Sequence, residues 1–194
     1  MVQENKITAD CARSFLRYEP ETGMLFWRER LPEHFATEGR TAEHSCANWN
    51  ARWAGKEAFT PIGGPGYRQG SILGIKTYAH RVIVLMVTGM WPDACIDHVN
   101  GNKLDNRWEN LRAASRTENN RNTEGRSARK GPHKGVRPTR SGTWRARIVV
   151  DKMEISLGTY ACATAAALAY DRAALKHYGC FAVTNFGGRD ARPV

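Results

Sequence analysis

The chain reads as an α+β protein in two parts, and three observations carry that reading. Around Asp97-His98, a short apolar run (Ala94, Cys95, Ile96) leads into a Gly/Asn/Asp loop. Residues 111–114 and a polar stretch from Arg116 follow, giving strand, loop, strand, helix. In the last third, residues 143–150 alternate as a half-buried strand does. Trp144, Ala146, Ile148 and Val150 share one face, and Arg145 and Arg147 the other. Residues 163–178 then form a small-residue helix that stops at Gly179, a natural left-handed cap.

Taken in order, residues 8–17 predict a short helix with Ala12, Phe15 and Leu16 on its buried side. Residues 18–27 predict a hairpin, with Pro20 and Gly23 where a tight turn wants them. Residues 29–60 give no clear pattern, and Trp49 and Trp53 read as packing residues. Residues 66–78 suggest a second hairpin around Leu73-Gly74. In residues 79–88, Val82, Leu85 and Met86 recur at helical spacing before Gly89 and Pro92 end the helix. His80 opens that helix and reads as a core or phosphate-facing histidine, with a metal-ligand role as the alternative. Residues 82–87 buttress the site from behind. In the last third, residues 134–137, 143–150 and 155–160 form three strands, the last two joined by Asp151-Lys152.

At 194 residues the chain holds one domain or two small ones, and 41% hydrophobic residues suffice for a core. The net charge of +10 is unevenly placed: residues 126–194 hold 13 Lys and Arg against 4 Asp and Glu, while residues 1–60 hold 8 against 9. The basic excess points to a polyanion-binding module at the C-terminal end. Cysteines 11, 46, 95, 162 and 180 are odd in number and form no Cys-x-x-Cys pair. They therefore signal neither a structural zinc nor a disulfide framework, and fit reduced cytoplasmic thiols. Met1 to Lys6 has no apolar signal core, and the longest aliphatic run, 82–87, is too short to cross a membrane.

Chemistry concentrates at Asp97-His98. Strand neighbours point to opposite faces, so one side chain holds a cation while the other works on a water beside it. A carboxylate from Asp97 and an amide oxygen from Asn119 suit Mg2+, which keeps several waters and completes its shell with phosphate. A histidine is the side chain best placed near neutral pH to take a proton from water. Together these groups add up to phosphodiester hydrolysis. Ser115 or Thr117 caps the helix that carries Asn119.

The pattern Asp97-His98, Asn110-Leu111-Arg112 and Glu118-Asn119-Asn120 resembles the HNH (His-Me finger, ββα-metal) endonucleases, closest to their phage and intron-homing branch. The resemblance implies that His98 is the general base, that Asp97 and Asn119 bind one Mg2+ or Mn2+ ion, and that Asn110 braces the loop positioning His98. Residues 18–27 resemble an N-terminal segment often attached to such phage enzymes. Beyond the predicted helix the chain turns basic, and Arg121 opens a stretch suited to following a phosphate backbone.

The last third resembles the DNA-binding domain of plant ethylene-response factors, the apetala-two type. Gly135-Val136-Arg137, Trp144-Arg145-Ala146, Leu157-Gly158-Thr159-Tyr160, Ala169-Tyr170-Asp171 and Asn185-Phe186 carry the likeness over nearly all of residues 133–187. It implies DNA contacts from Lys134, Arg137, Arg145 and Arg147, with Trp144 at the interface but mainly in the sheet's packing. Glu154 and Ser156 stand where that family tends to place Arg and Trp, so its target sequence does not carry over. Cys162 replaces the usual Thr at the helix start, which weakens the cap.

The expectation is thus a ββα-metal (HNH) nuclease region over 1–125, a basic linker over 126–132, a three-stranded antiparallel sheet plus helix over 133–187, and a tail over 188–194. The whole is expected to act as a metal-dependent, homing-type endonuclease on double-stranded DNA, as a monomer in the cytoplasm of a bacterial or phage-infected cell. The alternative is a DNA-binding regulator with an inactive HNH region.

Overall fold

A computed structural model of the protein describes residues 6–35, 41–121 and 132–187. The linker expected at 126–132 lies outside these but for Pro132, and the tail at 188–194 lies wholly outside them. The α+β class holds, with short helices and small sheets throughout. Packing divides the chain into two compact units: Met1–His98 with Asn102–Ala113, and Val99–Gly101 with Ala114–Val194.

The first unit opens with helix α1 (Ala9–Phe15), whose first turn is capped by Thr8 Oγ1 accepting from the Cys11 amide at 3.1 Å. The helix ends two residues earlier than its sequence suggests, because Leu16 is already extended and pairs with Trp27 across a hairpin. That hairpin is β1 (Leu16–Glu19) and β2 (Met24–Trp27), and β3 (Glu57–Ala58) adds a third strand to it. Between β2 and β3 lies a helix the sequence reading missed, α2 (Ala42–Trp53), capped by Thr41 Oγ1 on the His44 amide. Its apolar stripe is faint, since Cys46 alone is fully buried on it. Trp49 does pack, edge-on to Trp27 at 5.7 Å between ring centroids. Trp53 does not pack as expected: it is 39% exposed, with the Arg52 guanidinium over its ring.

The second hairpin, β4 (Gln69–Ile72) with β5 (Ile75–Tyr78), turns at Leu73-Gly74, where both residues take positive φ as a tight two-residue turn demands. Helix α3 (Ala79–Thr88) follows directly and stops at Gly89 in the left-handed conformation. It buries Val82, Ile83, Leu85 and Met86 in a core with Ile7, Phe15, Leu16, Leu25, Phe59 and Ile72. Strands β6 (Cys95–His98) and β7 (Leu111–Ala114) pair behind it, adding Ile96 and Leu111 to the same core.

The second unit begins with the short helix α4 (Arg116–Arg121) and continues into an antiparallel sheet of β8 (Val136–Pro138), β9 (Trp144–Val150) and β10 (Met153–Tyr160), with β9 central. Asp151 and Lys152 both take positive φ, which makes the β9–β10 turn tight. Helix α5 (Ala163–Tyr178) lies on the sheet, and its alanines let it approach Val136, Ala146 and Ile148 closely. Gly135 is required at that contact: it has φ of 75°, and a Cβ there would come within 2.7 Å of the Arg147 carbonyl and run into the Tyr170 ring. Cys162 caps α5 without a side-chain hydrogen bond. Gly179 ends the helix with φ 52° and ψ −129°, not in the expected left-handed cap, because the chain turns there into a 3-10 turn (Gly179–Phe181). Buried Asp171 then ties down the end, accepting from the amides of Asn185 (2.7 Å) and Phe186 (3.1 Å).

Candidate active site and nucleic-acid interface

The first unit buries Asp97 (4% exposed), His98 (3%) and Asn110 (5%). Asp97 and His98 end β6, and the pairing of β6 with β7 sets Arg112 against Asp97. The Arg112 guanidinium donates to Asp97 Oδ2 from Nε at 2.8 Å and Nη2 at 2.7 Å. Such a partner offsets the cost of burying a carboxylate. His98 Nε2 lies 3.1 Å from Asn106 Oδ1, and Asn106 itself is only 1% exposed. Burial pushes the His98 imidazole below its ordinary pKa, against the Asn106 hydrogen bond and the Asp97 carboxylate, which raise it. The ring is thus held neutral, the form able to accept a proton.

The loop between β6 and β7 is held on two sides. Asn110 Nδ2 donates to the Asp105 carbonyl at 2.7 Å, bracing the loop from its own end. The β1–β2 hairpin braces it from the other: the Tyr18 hydroxyl donates to the Asn106 carbonyl at 2.8 Å, and the Trp108 amide to the Pro20 carbonyl at 3.3 Å. Gly23 makes this approach possible, since a Cβ there would come within 2.5 Å of the Asn106 carbonyl carbon. Lys103 reaches back to the Pro65 carbonyl at 2.9 Å and lies over the Tyr67 ring.

A wall of rings stands beside His98. Tyr67 is 5.7 Å and His80 5.4 Å from it between centroids, and Tyr78 stacks on His80 with an interplanar angle of 7°. His80 is 6% exposed, and burial, with lesser repulsion from His98 and Arg81, drives its pKa down to about 3. Burial, then Asp97, raises the Tyr67 phenol. Asn106, Tyr67, Tyr78 and Arg112 did not stand out as site residues in the sequence. Arg112 belongs to the quoted motif and Asn106 falls between its first two pieces, whereas nothing in the sequence places Tyr67 against His98.

Asn119 sits on α4 in the second unit, half-buried. Ser115 is the cap: its Oγ accepts from the Glu118 amide at 3.2 Å, and the Glu118 carboxylate accepts from the Ser115 amide at 2.7 Å. The side chain of Arg121 lies outside the described residues. Asp97, in the first unit, and Asn119, in the second, each carry an oxygen donor of the kind a hard, largely hydrated divalent ion takes. Among the described residues no group of three or more His, Cys, Asp and Glu side chains is arranged around a common point, as zinc sites require.

In the second unit, Arg137 and Arg145 face each other across the β8–β9 register, and both are exposed. With Thr139, Arg140, Arg147 and Glu154 they line a groove of about 490 Å3. Arg147 is ion-paired with Glu154 across the β9–β10 pair. Lys134 is anchored by its backbone, its amide donating to Asn185 Oδ1 at 2.7 Å. Trp144 packs against the cluster of Val136, Ala146 and the α5 alanines, on the face away from the arginines.

No helix among the described residues is long and apolar enough to cross a membrane. In comparison with known proteins, residues 77–121 match the family model of HNH endonucleases, a span that contains Asp97, His98, Asn110 and Asn119. The chain is also 46% identical over 59 residues to an AP2/ERF and B3 domain-containing protein of rice (Oryza sativa subsp. japonica). That match takes in 30% of this chain and 16% of the rice protein. Residues 77–121 are therefore similar to HNH endonucleases, and the chain shares a stretch of 59 residues with a much longer plant protein.

Proposed function

We propose that the protein is a homing-type HNH endonuclease that hydrolyses phosphodiester bonds in double-stranded DNA and is held on its target by the sheet of β8, β9 and β10. The observation that carries this is a buried His98 held at 3.1 Å by Asn106, beside a buried, arginine-paired Asp97, within the segment that matches HNH endonucleases. His98 takes the proton from the attacking water. Asp97 and Asn119 would hold one Mg2+ or Mn2+ ion, which would supply positive charge to the phosphate and leaving oxygen. Arg112 orients Asp97, and Asn110 keeps the loop closed behind His98. We assign residues 1–125 to cutting, 126–132 to a linker and 133–187 to DNA binding. In that last part Lys134, Arg137, Arg145 and Arg147 touch DNA, Arg121 adds a contact ahead of it, and Trp144 supports the sheet from its packed face. The protein works as a monomer in the cytoplasm of a bacterial or phage-infected cell.

Incubating supercoiled plasmid with the protein and Mg2+ tests the reading. Conversion to open-circular or linear DNA that EDTA stops supports the nuclease. DNA binding without conversion at any divalent-ion concentration replaces it with a DNA-binding regulator.

A further inference from the structure

Three buried side-chain polar atoms among the described residues have no hydrogen-bond partner: Arg30 Nε, His80 Nδ1 and Asn106 Nδ2. Two of the three belong to residues that touch His98. A buried polar atom without a partner weakens a fold, and an apolar ring at residue 80 would remove that loss there, whereas at residue 106 an apolar side chain would leave His98 Nε2 without its acceptor. Positions where a chain keeps such a penalty tend to be functional.

We infer that Asn106 and His80 are positioning residues for His98: Asn106 sets the imidazole in its Nε2–H tautomer, and His80, which stays polar at the expense of stability, walls the ring in place. An amide oxygen can only accept a hydrogen bond, so Asn106 Oδ1 at 3.1 Å places the proton on Nε2 and the lone pair on Nδ1. Asn106 cannot turn away easily, because the Tyr18 hydroxyl holds its carbonyl at 2.8 Å and Gly23 lets the hairpin press against its backbone. His80 meets His98 edge-on, with an interplanar angle of 81°, and is itself clamped between Tyr67 and Tyr78. The inference rests on the reading of His98 as the general base.

Nitrogen-15 NMR of the histidine-labelled full chain reads the tautomer directly, without need of activity. The expected result is an Nε2–H pattern for His98 in the wild type and mixed tautomers in Asn106→Leu. In plasmid cleavage, Asn106→Leu should lower kcat by about 10-fold with KM little changed, and Asn106→Asp, which keeps an acceptor, should recover most of that loss when assayed at about pH 8.5. His80→Phe should melt at the wild-type temperature or above and yet lose about 10-fold in kcat. A wild-type His98 protonated on Nδ1 overturns the inference. So do variants whose kcat stays within about twofold of wild type, or falls only in step with a lowered melting temperature. If the chain does not cleave DNA at all, the nuclease reading fails, and the tautomer in the wild type and in Asn106→Leu still decides whether Asn106 positions His98.

Discussion

The neighbourhood of His98 and the outer face of the β8–β9–β10 sheet are built on opposite terms. At the first, Asp97, His98, Asn106 and Asn110 are all buried, each held by a specific partner, and the loop carrying the two asparagines is braced from two sides. At the second, Arg137 and Arg145 stand exposed on a strand pair whose other face is filled with alanines and Trp144. Moving a proton demands a fixed geometry and a controlled dielectric, whereas gripping a polyanion demands reachable charge. The two regions should therefore respond differently to substitution: sharply and by geometry in the first, gradually and by charge in the second.

The largest effect belongs to the first region. His98→Ala should lower cleavage by about 10²–10⁴-fold, the usual cost of losing a general base, while leaving DNA affinity nearly intact. Kinetics under saturating DNA, beside equilibrium binding on the same duplex, check both halves of that statement. Gly23→Ala comes next. It forces a side chain into a positive-φ position and against the Asn106 carbonyl, so thermal melting should show about 2 kcal/mol or more of destabilisation, with cleavage lowered through the displaced loop.

In the second region, effects should scale with contacts. Arg137→Ala with Arg145→Ala should flatten the slope of log affinity against log salt by about 1.8 if both touch phosphates. Arg147→Ala should flatten it less, because Glu154 already engages that guanidinium. Equal losses at Arg145 and Arg147 would show that the ion pair opens on DNA.

The remaining effect is a pH dependence of stability. His80 has a folded pKa of about 3 against an ordinary 6.5, so below pH 6.5 the unfolded chain binds a proton that the folded chain refuses. The stability tied to His80 is therefore fully present above about pH 6.5 and declines as pH falls toward 3, by up to about 1.4 kcal/mol per pH unit. Denaturant melts of wild type and His80→Phe across that range should show a shallower acid decline in the variant.

Much of this was legible in the sequence where a local rule sufficed. The α3 helix followed from its apolar spacing and Gly89, the two tight turns from Leu73-Gly74 and Asp151-Lys152, and the face of β9 from strict alternation. The Asp97-His98 pair stood out for its chemistry, and Asn110 through the family resemblance. What stayed hidden depends on contacts distant in sequence. Tyr67 reaches His98 only because the β4–β5 hairpin folds back, and Tyr18 meets Asn106 across 88 residues. Helix α2 escaped notice because it buries little, so its sequence carries no stripe. Residue 179 was legible as a helix stop but not in its conformation, which the following turn decides.

One measurement bears most directly on the division of labour: nicking of supercoiled plasmid and binding of a duplex, both at the same salt, by wild type, His98→Ala and Arg137→Ala/Arg145→Ala. The account predicts that His98→Ala binds like wild type without nicking. It predicts that the double-arginine variant binds weakly yet nicks at a near-wild-type rate once DNA is saturating. If His98→Ala nicks within about threefold of wild type, or the arginine variant binds as tightly as wild type, the account is contradicted.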